Sequence, residues 1–450
     1  MSILRANTPT GPWDTVALKH VVLSIQTGPF GSQLHADDYS PGGRPVINPA
    51  HLRDGQIEPD SDSAVDDVTF GRLSQHELLE GDIVIGRRGD LGRCGVVTRD
   101  QAGWLCGTGS IRVRPDTRKL HSSWLRWLLA WTGSRDWLTL ESVGSTMDNL
   151  GAETIGSMPI SVPPLRIQRV ITAYLDRETV RLDGLVAAKE RVLGLLAEKR
   201  RALITRAVTR GLDPSAPLRD SGIPWLGKIP EHWEVQRLKF YLRWIEQGWS
   251  PQCDNTSADL DEWGVLKAGC VNAWDFDPRE NKRLPENVEP LTHYEVRQGD
   301  VLMSRANTTA LLGSTALVRE VRPRLLLCDK LYRLGVNESS LCKEYLVAFL
   351  RSPAGRYEFE RDATGASNSM QNIGQDSVRN LWLPIPPIDE QHAIVAHIAA
   401  ETAKLEALRA ATERTIALLK ERRAALIAAA VTGKLDVQGA GCHIDVAADN

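Results

Sequence analysis

Two arginine-bearing loops are the parts of this chain best suited to bind a charged or polar partner. Each follows a Gly-Asp pair and a short apolar run, Ile83 to Gly86 in one case and Val301 to Ser304 in the other. This pattern is typical of a turn that enters a short buried strand, so we expect the next residues to emerge where the strand ends. Small residues let a backbone approach a ligand, and arginine or asparagine can pair in a bidentate way with a phosphate or a base edge. The candidate DNA-binding residues of these loops are Arg87, Arg88, Arg305, Asn307 and Thr308.

Two further pairs of loops offer mainly uncharged hydrogen-bond donors and acceptors. One pair contributes Gln26, Thr27, Phe30, Ser32 and Gln33 in its first member and Gln247, Ser250 and Gln252 in its second. The other pair contributes Ser145, Thr146 and Asn149, and then Ser367, Asn368, Ser369 and Gln371. Readout of bases uses such groups. Ordinary surface turns use the same residue types, so each loop taken alone also fits a structural turn.

The signatures of catalysis are missing from the sequence. Residues 222–228 have the spacing of a phosphate-binding loop, but Ile229 follows where Ser or Thr is needed, and two prolines disrupt the strand-loop-helix setting. No Asn/Asp-Pro-Pro-aromatic segment of an adenine methyltransferase appears. The acid-x-Lys triplet at Glu280 has its nearest upstream acids too close in sequence for a convincing nuclease metal site. We therefore expect a noncatalytic binding protein with no catalytic residue, no metal and no cofactor of its own.

The composition is that of an ordinary globular protein. The 450 residues are 42% hydrophobic and 25% charged, with a net charge of -3, so any basic surface that binds nucleic acid must be local. Seven scattered cysteines without a Cys-x-x-Cys pair predict reduced thiols rather than zinc or disulfides. No apolar run approaches eighteen residues, and the N-terminus lacks a signal-peptide pattern, so we expect a cytoplasmic protein without a membrane partner.

The chain contains an internal duplication. Pro163-Pro164-Leu165 with Gln168 recurs 223 residues later as Pro386-Pro387-Ile388 with Gln391. The same offset carries Ala202-Leu203-Ile204 onto Ala425-Leu426-Ile427, and the two Gly-Asp pairs match at an offset of 218. Each copy of about 220 residues has a variable front part, which we call a head, and a closely similar tail. Two divergent recognition surfaces on one common scaffold account for this pattern.

Each tail is predicted to be one long helix. The first runs without proline from Pro164 to Thr209, and Gly211 and Gly433 supply the stop signals. Apolar residues recur at three- and four-residue spacing as Leu182, Leu185, Val192, Leu196 and Leu203, and as Leu405, Leu408, Leu419 and Leu426. A helix of about 40 residues would span roughly 60 Å. Because it is only half apolar, it needs a packing partner. The nearest candidate is the other tail, packed against it as an antiparallel helix. The first tail carries eleven basic against five acidic residues, which fits a contact with DNA or a partner as well as a structural coil.

The heads are predicted to be strand-rich with a few short helices. Trp124, Trp127 and Trp131 fall at helical spacing, which favours a core-facing stripe over a platform for stacking bases. The predicted fold class is α+β, a pseudo-two-fold internal repeat of two similar heads joined by two long helices packed as an antiparallel coiled coil. The predicted boundaries are 1–162 for the first head, 163–210 for the first helix, 211–232 for a central linker, 233–385 for the second head, 386–433 for the second helix and 434–450 for a C-terminal tail.

The segment between the halves shows a family resemblance. Residues 222–235, Gly-Ile-Pro-Trp-Leu-Gly-Lys-Ile-Pro-Glu-His-Trp-Glu-Val, closely resemble the inter-domain signature of the specificity subunits of type I restriction-modification systems. The resemblance extends to Gly28-Pro29-Phe30-Gly31-Ser32, to both Gly-Asp pairs and to both Pro-Pro-x-x-x-Gln segments, and so covers nearly the whole chain. It implies two target-recognition domains, each reading one half of a split, asymmetric DNA site.

The resemblance also implies partners. The paired helices would hold the two domains apart and dock two methyltransferase subunits, through which endonuclease-translocase subunits join. Methylation of adenine would then belong to the partners, which would bring S-adenosylmethionine, ATP and Mg. Two alternatives remain open: an adaptor with a coiled-coil stalk whose heads hold protein or polysaccharide instead of double-stranded DNA, and a degenerate self-contained nuclease.

Overall fold

The computed structural model describes residues 12–30, 33–142, 150–253, 255–367 and 370–435. Its α-helices are α1 (Asp67–Arg72), α2 (Ser122–Ala130), α3 (Thr132–Glu141), α4 (Ala152–Ser157), α5 (Leu165–Arg210), α6 (Lys343–Leu350), α7 (Pro353–Asp362), α8 (Gln375–Arg379) and α9 (Ile388–Val431).

The strands of the first half are β1 (Thr15–Ala17), β2 (Val22–Thr27), β3 (Tyr39–Ile47), β4 (Leu52–Arg53), β5 (Gln56–Ile57), β6 (Ala64–Val65), β7 (Ile83–Gly86), β8 (Cys94–Val96), β9 (Leu105–Cys106), β10 (Ser110–Pro115) and β11 (Pro159–Ser161). Those of the second half are β12 (Leu218–Asp220), β13 (Lys228–Pro230), β14 (Glu234–Arg237), β15 (Leu242–Gln247), β16 (Gly264–Leu266), β17 (Asn281–Arg283), β18 (Val301–Ser304), β19 (Ala306–Asn307), β20 (Thr315–Leu317), β21 (Leu325–Leu326), β22 (Leu331–Val336), β23 (Thr364–Ser367), β24 (Met370–Asn372) and β25 (Trp382–Ile385).

The chain divides into two compact units, and the division falls within both long helices. The first unit comprises residues 1–190 and 413–450, and the second comprises residues 191–412. Each unit therefore contains one head, a part of α5 and a part of α9.

A four-stranded antiparallel sheet is the centre of each unit. In the first unit the strand order is β2-β10-β7-β8, and in the second it is β15-β22-β18-β20. A short antiparallel pair, β1 with β11 or β14 with β25, joins the start of each head to the strand just before the long helix. The same strands thus recur in the same order in both units, which confirms the duplication read from the sequence.

The Gly-Asp pairs build the turns that enter β7 and β18. Gly81 and Gly299 have φ angles of +85° and +89°, a left-handed backbone that glycine adopts without the strain of a side chain. The carboxylate of Asp82 accepts a hydrogen bond from the Leu79 N–H at 2.8 Å and two from the Arg114 guanidinium at 2.8 and 2.7 Å. Asp300 accepts from the Arg297 N–H and from the Arg333 guanidinium in the same way. The motif therefore stabilises the turn and holds an arginine of the central strand.

The Pro-Pro-x-x-x-Gln segments fasten the long helices to the heads. Gln168 is fully buried, and its amide accepts from the His121 N–H at 2.8 Å and donates to the carbonyls of Lys119 and Pro163. Gln391 is also fully buried and makes the equivalent bonds with Cys342, Ser340 and Pro386. Each glutamine thus connects the first turn of a long helix to the start of α2 or α6.

The central linker fastens the end of α5 to the start of α9 within the second unit. Trp233 is 1% exposed, and its indole N–H donates to the Glu390 carboxylate at 3.1 Å. His232 also contacts this carboxylate, at 2.8 Å. The Tyr345 hydroxyl donates to the Val208 carbonyl, at 3.2 Å, and lies 2.9 Å from that of Pro384. The conspicuous linker sequence is therefore explained by packing at this junction.

The two long helices run antiparallel. Within the first unit, Arg423 of α9 pairs with Asp183 of α5 at 2.9 Å, and Lys420 of α9 pairs with Glu190 of α5 at 3.5 Å. A later residue of α5 thus pairs with an earlier residue of α9, as antiparallel helices require. Helix α5 has 46 residues, or about 69 Å, and ends at Gly211, whose φ is +72°. The predicted long helices, their antiparallel packing and the α+β fold class are confirmed, whereas the predicted domain boundaries stay a prediction.

The apolar stripe predicted for the helix pair is wrong in part. Leu182 and Leu405 are 6% exposed, but Leu185 and Val192 are 43% and 39% exposed and Leu408 is 56% exposed. The ends of the helices are covered by the heads: Ile171 and Leu175 join the core of the first unit, and Ile204, Ala207 and Val208 join that of the second. Three-four spacing alone does not tell which apolar residues turn towards the partner helix.

The tryptophans of the first head lie in its core, as predicted. Trp124 is fully buried and Trp127 is 2% exposed, while Trp131 is half-buried. The indole N–H of Trp124 donates to the Ser161 carbonyl at 3.0 Å and that of Trp127 to the Asp176 carboxylate at 3.0 Å. These side chains join α2 to the strand and helix that follow the head.

Candidate nucleic-acid interface

The antiparallel sheet brings the predicted loops to one edge. Strand β10 begins at Ser110, which pairs with Gly86 at the end of β7, and its next residue pairs with Thr27 at the end of β2. In the second unit, β22 begins at Leu331, which pairs with the last residue of β18, and Tyr332 pairs with the last residue of β15. The loops that leave the two strands on either side of β10 or β22 therefore flank the start of that strand in both units.

In the first unit three loops meet at the turn formed by residues 107–110. The Gly28 N–H donates to the Ser110 carbonyl at 2.9 Å, and the Arg87 N–H donates to the Gly109 carbonyl at 3.0 Å. The Arg87 carbonyl in turn accepts from the Leu150 N–H at 3.0 Å, so Leu150 joins the same cluster.

The second unit repeats these contacts around the turn formed by residues 327–330. The Trp249 N–H donates to the Leu327 carbonyl at 3.0 Å, and the Arg305 N–H donates to the Lys330 carbonyl at 2.9 Å. The Arg305 carbonyl accepts from the Ile373 N–H at 2.9 Å. We call each cluster a loop edge and define it by its described residues: 26–30, 33, 87–88 and 150 in the first unit, and 247–252, 305–308, 367 and 370–373 in the second.

Close backbone contact explains one glycine in each loop edge. A Cβ atom at Gly28 would lie 1.9 Å from the Gly107 carbonyl oxygen, and one at Gly248 would lie 2.2 Å from that of Leu327. Both distances are far below van der Waals contact, so any side chain at either position would force the loops apart. Glycine is needed here because the two loops touch through their backbones.

The described residues of the first loop edge combine an aromatic face with arginine. The Arg87 guanidinium lies over the Phe30 ring, 4.9 Å from its centroid, and Phe30 is 52% exposed. Arg87 itself is 6% exposed, and burial together with the charge of Arg88 lowers the pKa of its guanidinium from the usual value. Arg88 is exposed. A base or phosphate that approaches this edge would therefore meet Phe30 and Arg88 first.

The remaining predicted residues of the first unit support the loop. The Gln33 side-chain carbonyl accepts from the Phe30 N–H at 3.1 Å. Gln26 accepts from the buried Arg112 guanidinium, and Thr27 closes β2 opposite Ile111. The predicted residues Ser32, Ser145, Thr146 and Asn149 lie outside the described residues.

The second loop edge is built from amides and a small sheet. Strand β24 pairs with β19 and β23, which sets Asn307 opposite Gln371 and Ser367 opposite Met370. The Asn307 amide donates to the Asn272 side chain at 3.0 Å and accepts from the Thr308 N–H at 2.9 Å. One nitrogen of the Arg305 guanidinium donates to the Asp329 carbonyl at 3.1 Å.

The loop after β15 completes this edge. Gln247 is half-buried at the end of the strand, whereas Ser250 and Gln252 are exposed. The Asp329 N–H donates to the Trp249 carbonyl at 3.2 Å, which ties this loop to the turn that also holds Arg305. Asn368 and Ser369 lie outside the described residues.

Three lysines beside the second loop edge were missed by the sequence reasoning. A cavity of about 420 Å³ next to Ser250 is lined by Lys267, Lys282 and Lys330. The three lysines come from distant segments, so no local sequence pattern predicts that they lie close together. Lys282 belongs to the acid-x-Lys triplet noted in the sequence. Lysine is a common phosphate ligand, and the sheet places these positive charges next to the polar loop.

Neither a metal cluster nor a disulfide is present in the described parts of the chain. No group of three or more His, Cys, Asp or Glu side chains is close enough there to hold a metal ion. Burial raises the pKa of the Cys94, Cys106 and Cys328 thiols to about 12, so they stay protonated near neutral pH. Of the helices among these residues, none combines the length and the apolar character needed to cross a membrane.

Comparison with known proteins gives one consistent result. The family model "Type I restriction modification DNA specificity domain" matches residues 11–183. The EcoEI specificity subunit of Escherichia coli, a type I restriction enzyme component, is 28% identical over 247 residues, which are 55% of this chain and 41% of that protein.

Solved structures agree with the observed architecture. A chain from a structure concerned with complex assembly and conformational transition of the type I R-M system aligns with a TM-score of 0.70 at 20% identity, covering 95% of this chain and 99% of that one. The HsdS subunit from Thermoanaerobacter tengcongensis aligns with a TM-score of 0.55 at 20% identity, covering 95% and 98%. At this identity the likeness establishes the fold.

By sequence, this chain is therefore similar to the specificity subunits of type I restriction enzymes. The linker sequence, the Gly-Asp turns and the glutamine at the start of each long helix all make packing or hydrogen-bonding contacts in this chain. The loop edges, in contrast, carry unlike exposed side chains: Phe30 and Arg88 in the first unit, and Ser250 and Gln252 in the second.

Proposed function

We propose that this chain is the sequence-specificity subunit of a type I restriction-modification complex and that it binds double-stranded DNA. Each loop edge reads one half of an asymmetric, bipartite site. The observation that carries this proposal is the same three-loop construction in both units with unlike side chains on it. Phe30 and Arg88 are exposed in one unit and Ser250 and Gln252 in the other, and these are different sets of groups able to read bases.

The chemistry in this proposal belongs to partner subunits. Two methyltransferase subunits flip and methylate an adenine in the half-sites, and endonuclease-translocase subunits join through them. S-adenosylmethionine, ATP and Mg are bound by those partners. The chain itself acts as a noncatalytic guide, a role supported by the specificity-subunit relatives.

Exposed apolar residues on α5 support the docking of partners. Val180, Leu185 and Leu195 are 73%, 43% and 55% exposed, and Val192 is 39% exposed. Val192 and Leu195, both in the second unit, are three residues apart, which places them on one face of the helix. An apolar face left open on a long helix is the kind of surface that packs against a helix of another subunit.

Paired arginine variants test the reading of two half-sites. In the assembled complex, Arg88→Gln is expected to relax discrimination in one half-site and Arg305→Gln in the other, because a bidentate base contact contributes about 1–3 kcal/mol, or roughly 5–150-fold. Fluorescence anisotropy with duplexes mismatched in either half, against a scrambled duplex, measures this. Arg243→Gln, at the exposed far end of β15, is the matched control and should change neither half.

The outcomes separate the proposal from its rivals. If both variants affect the same half-site, the proposal that each unit reads its own half-site is wrong. If the complex binds target and scrambled duplexes equally, the chain is an adaptor of another kind. Metal-dependent cleavage of DNA by the isolated chain would point instead to a self-contained nuclease.

The long helices lead to a further expectation within this proposal. If they set the distance between the half-sites, insertion of four residues, about one helical turn, into both α5 and α9 should change the length of the nonspecific spacer. Methylation-aware sequencing of the host genome reads that length directly. An unchanged spacer would contradict a role of the helices in setting the distance.

A further inference from the structure

The second unit contains a cavity of about 640 Å³ that has no part in the loop edge. It lies where α5 and α9 meet α7 and the loop that carries Trp274. Its apolar wall includes Leu193, Leu196, Ile204, Trp274 and Leu405, and its charged residues are Arg200, Arg201, Arg351, Arg356, Arg409, Glu360 and Glu406. The volume is in the range of roughly 300–1,000 Å³ in which proteins hold small organic ligands.

Positive charge dominates this cavity. Five arginines face two glutamates; the Glu360 carboxylate pairs with Arg356 at 3.4 Å and the Glu406 carboxylate pairs with Arg409 at 3.3 Å. Within the described part of the chain, Arg200, Arg201 and Arg351 have no carboxylate within ion-pair distance. Arg201 is exposed, whereas Arg200 and Arg351 are half-buried, and partial burial of neighbouring like charges is costly unless a negative group offsets them.

Arg351 is held in place without being neutralised. Its guanidinium donates to three backbone carbonyls, those of Val271 at 3.0 Å, Thr315 at 2.7 Å and Asn272 at 2.8 Å. Burial, together with the charges of Arg200 and Arg356, lowers its pKa to about 10, so it remains charged at neutral pH. The carbonyls therefore fix a full positive charge at the cavity wall.

Trp274 arranges two of the arginines. The Arg200 guanidinium lies 4.4 Å from the centroid of its ring and that of Arg351 lies 5.0 Å from it. Cation-π contacts of this kind orient both side chains before any ligand arrives. Arg200 makes no hydrogen bond within the described residues, so its donors are available to a ligand.

We propose that this cavity binds a small organic anion that carries at least two negative charges and an apolar or aromatic part, a nucleoside polyphosphate being the class that matches. The phosphate groups lie against Arg200, Arg201 and Arg351. The apolar part lies against the leucines of α5 and α9. This site is separate from the loop edges and does not depend on the proposed DNA function.

Isothermal titration calorimetry of the full-length chain, with magnesium chelated, tests the proposal. ATP is expected to bind more tightly than inorganic triphosphate, and adenosine is expected to give no measurable heat. Arg200→Gln and Arg201→Gln should each weaken ATP binding by about tenfold or more, since each removes hydrogen bonds between charged groups. Arg206→Gln, exposed on the same helix and outside the cavity, is the matched control and should stay within about twofold.

Thermal unfolding and circular dichroism of the same samples establish that the variants are folded. Absence of ATP binding at millimolar concentration overturns the proposal, and so do unchanged affinities in both cavity variants or adenosine binding as tightly as ATP. Duplex binding is measured on the same preparations assembled with partner subunits. Loss of sequence-specific DNA binding with retained ATP binding would contradict the proposed function and leave this site standing.

Discussion

Replacement of Gln391 by leucine isolates the contact that fastens α9 to the second head. Gln391 is fully buried and bonds the Cys342 N–H at 2.8 Å, the Pro386 carbonyl at 2.9 Å and the Ser340 carbonyl at 3.2 Å. Leucine has nearly the same size, so the substitution removes the hydrogen bonds with little change in packing. The first two partners are buried and would lose their bonds, whereas the Ser340 carbonyl is partly accessible to water.

The magnitude follows from the two buried partners. Each buried group left without a hydrogen bond costs about 1–3 kcal/mol, or roughly 2–6 kcal/mol together. Burial of the leucine side chain offsets about 1.5–3 kcal/mol of this. We expect a net loss of about 2 kcal/mol in the free energy of unfolding of the second unit.

Urea unfolding of the full-length chain, followed by circular dichroism, measures this loss. His392→Leu is the matched control, because the next residue of α9 is exposed; it should stay within about 0.5 kcal/mol of the unmodified chain. A Gln391→Leu variant as stable as this control would show that the buried amide does not hold the helix. The reasoning about its counterpart Gln168 would be refuted with it.

Two further predictions concern glycine and cysteine. Gly433→Ala should destabilise the first unit by about 1 kcal/mol or more, because the φ of Gly433 is +71° and a Cβ atom there would lie 2.5 Å from Pro12. Gly184→Ala should stabilise by about 0.5–1 kcal/mol, because Gly184 lies within α5 and a Cβ atom there would meet open space. Thermal unfolding of both variants checks these opposite signs. The thiols of Cys94, Cys106 and Cys328 have their pKa raised from 9.0 to about 12 in the folded chain, so their contribution to stability is complete below pH 9 and is lost as pH rises towards 12. Urea unfolding at pH 8 and pH 10.5 should show lower stability at the higher pH and a smaller difference in a variant with alanine at all three positions; equal differences in both proteins would rule out the thiols as the cause.

The elements with strong local signals were predictable from the sequence. Proline before and glycine after a long stretch at helical spacing located α5 and α9 to within a few residues. The duplication showed that the three loop pairs correspond, and the structure brings the described residues of each set to one sheet edge. That convergence follows from antiparallel pairing, because β2 and β7 both end beside the start of β10.

Side-chain roles that depend on tertiary contacts were not predictable. The burial of Gln168 and Gln391 depends on the start of α2 and α6, which lie about 50 residues away along the chain. The exposure of Leu185 and Leu408 depends on how the two helices are rotated, which their spacing leaves open. The lysines beside Ser250 meet only after three separate segments fold together.

Exchange of one head is the most direct test of the central claim that two separate units read two halves of one DNA site. Residues 14–160 are replaced by the corresponding segment of a relative with a different target, and methylation-aware sequencing of the host genome gives the new motif. We expect one half-site to change while the other half and the spacer stay as they were. A motif that changes in both halves, or a single uninterrupted target, would contradict the account.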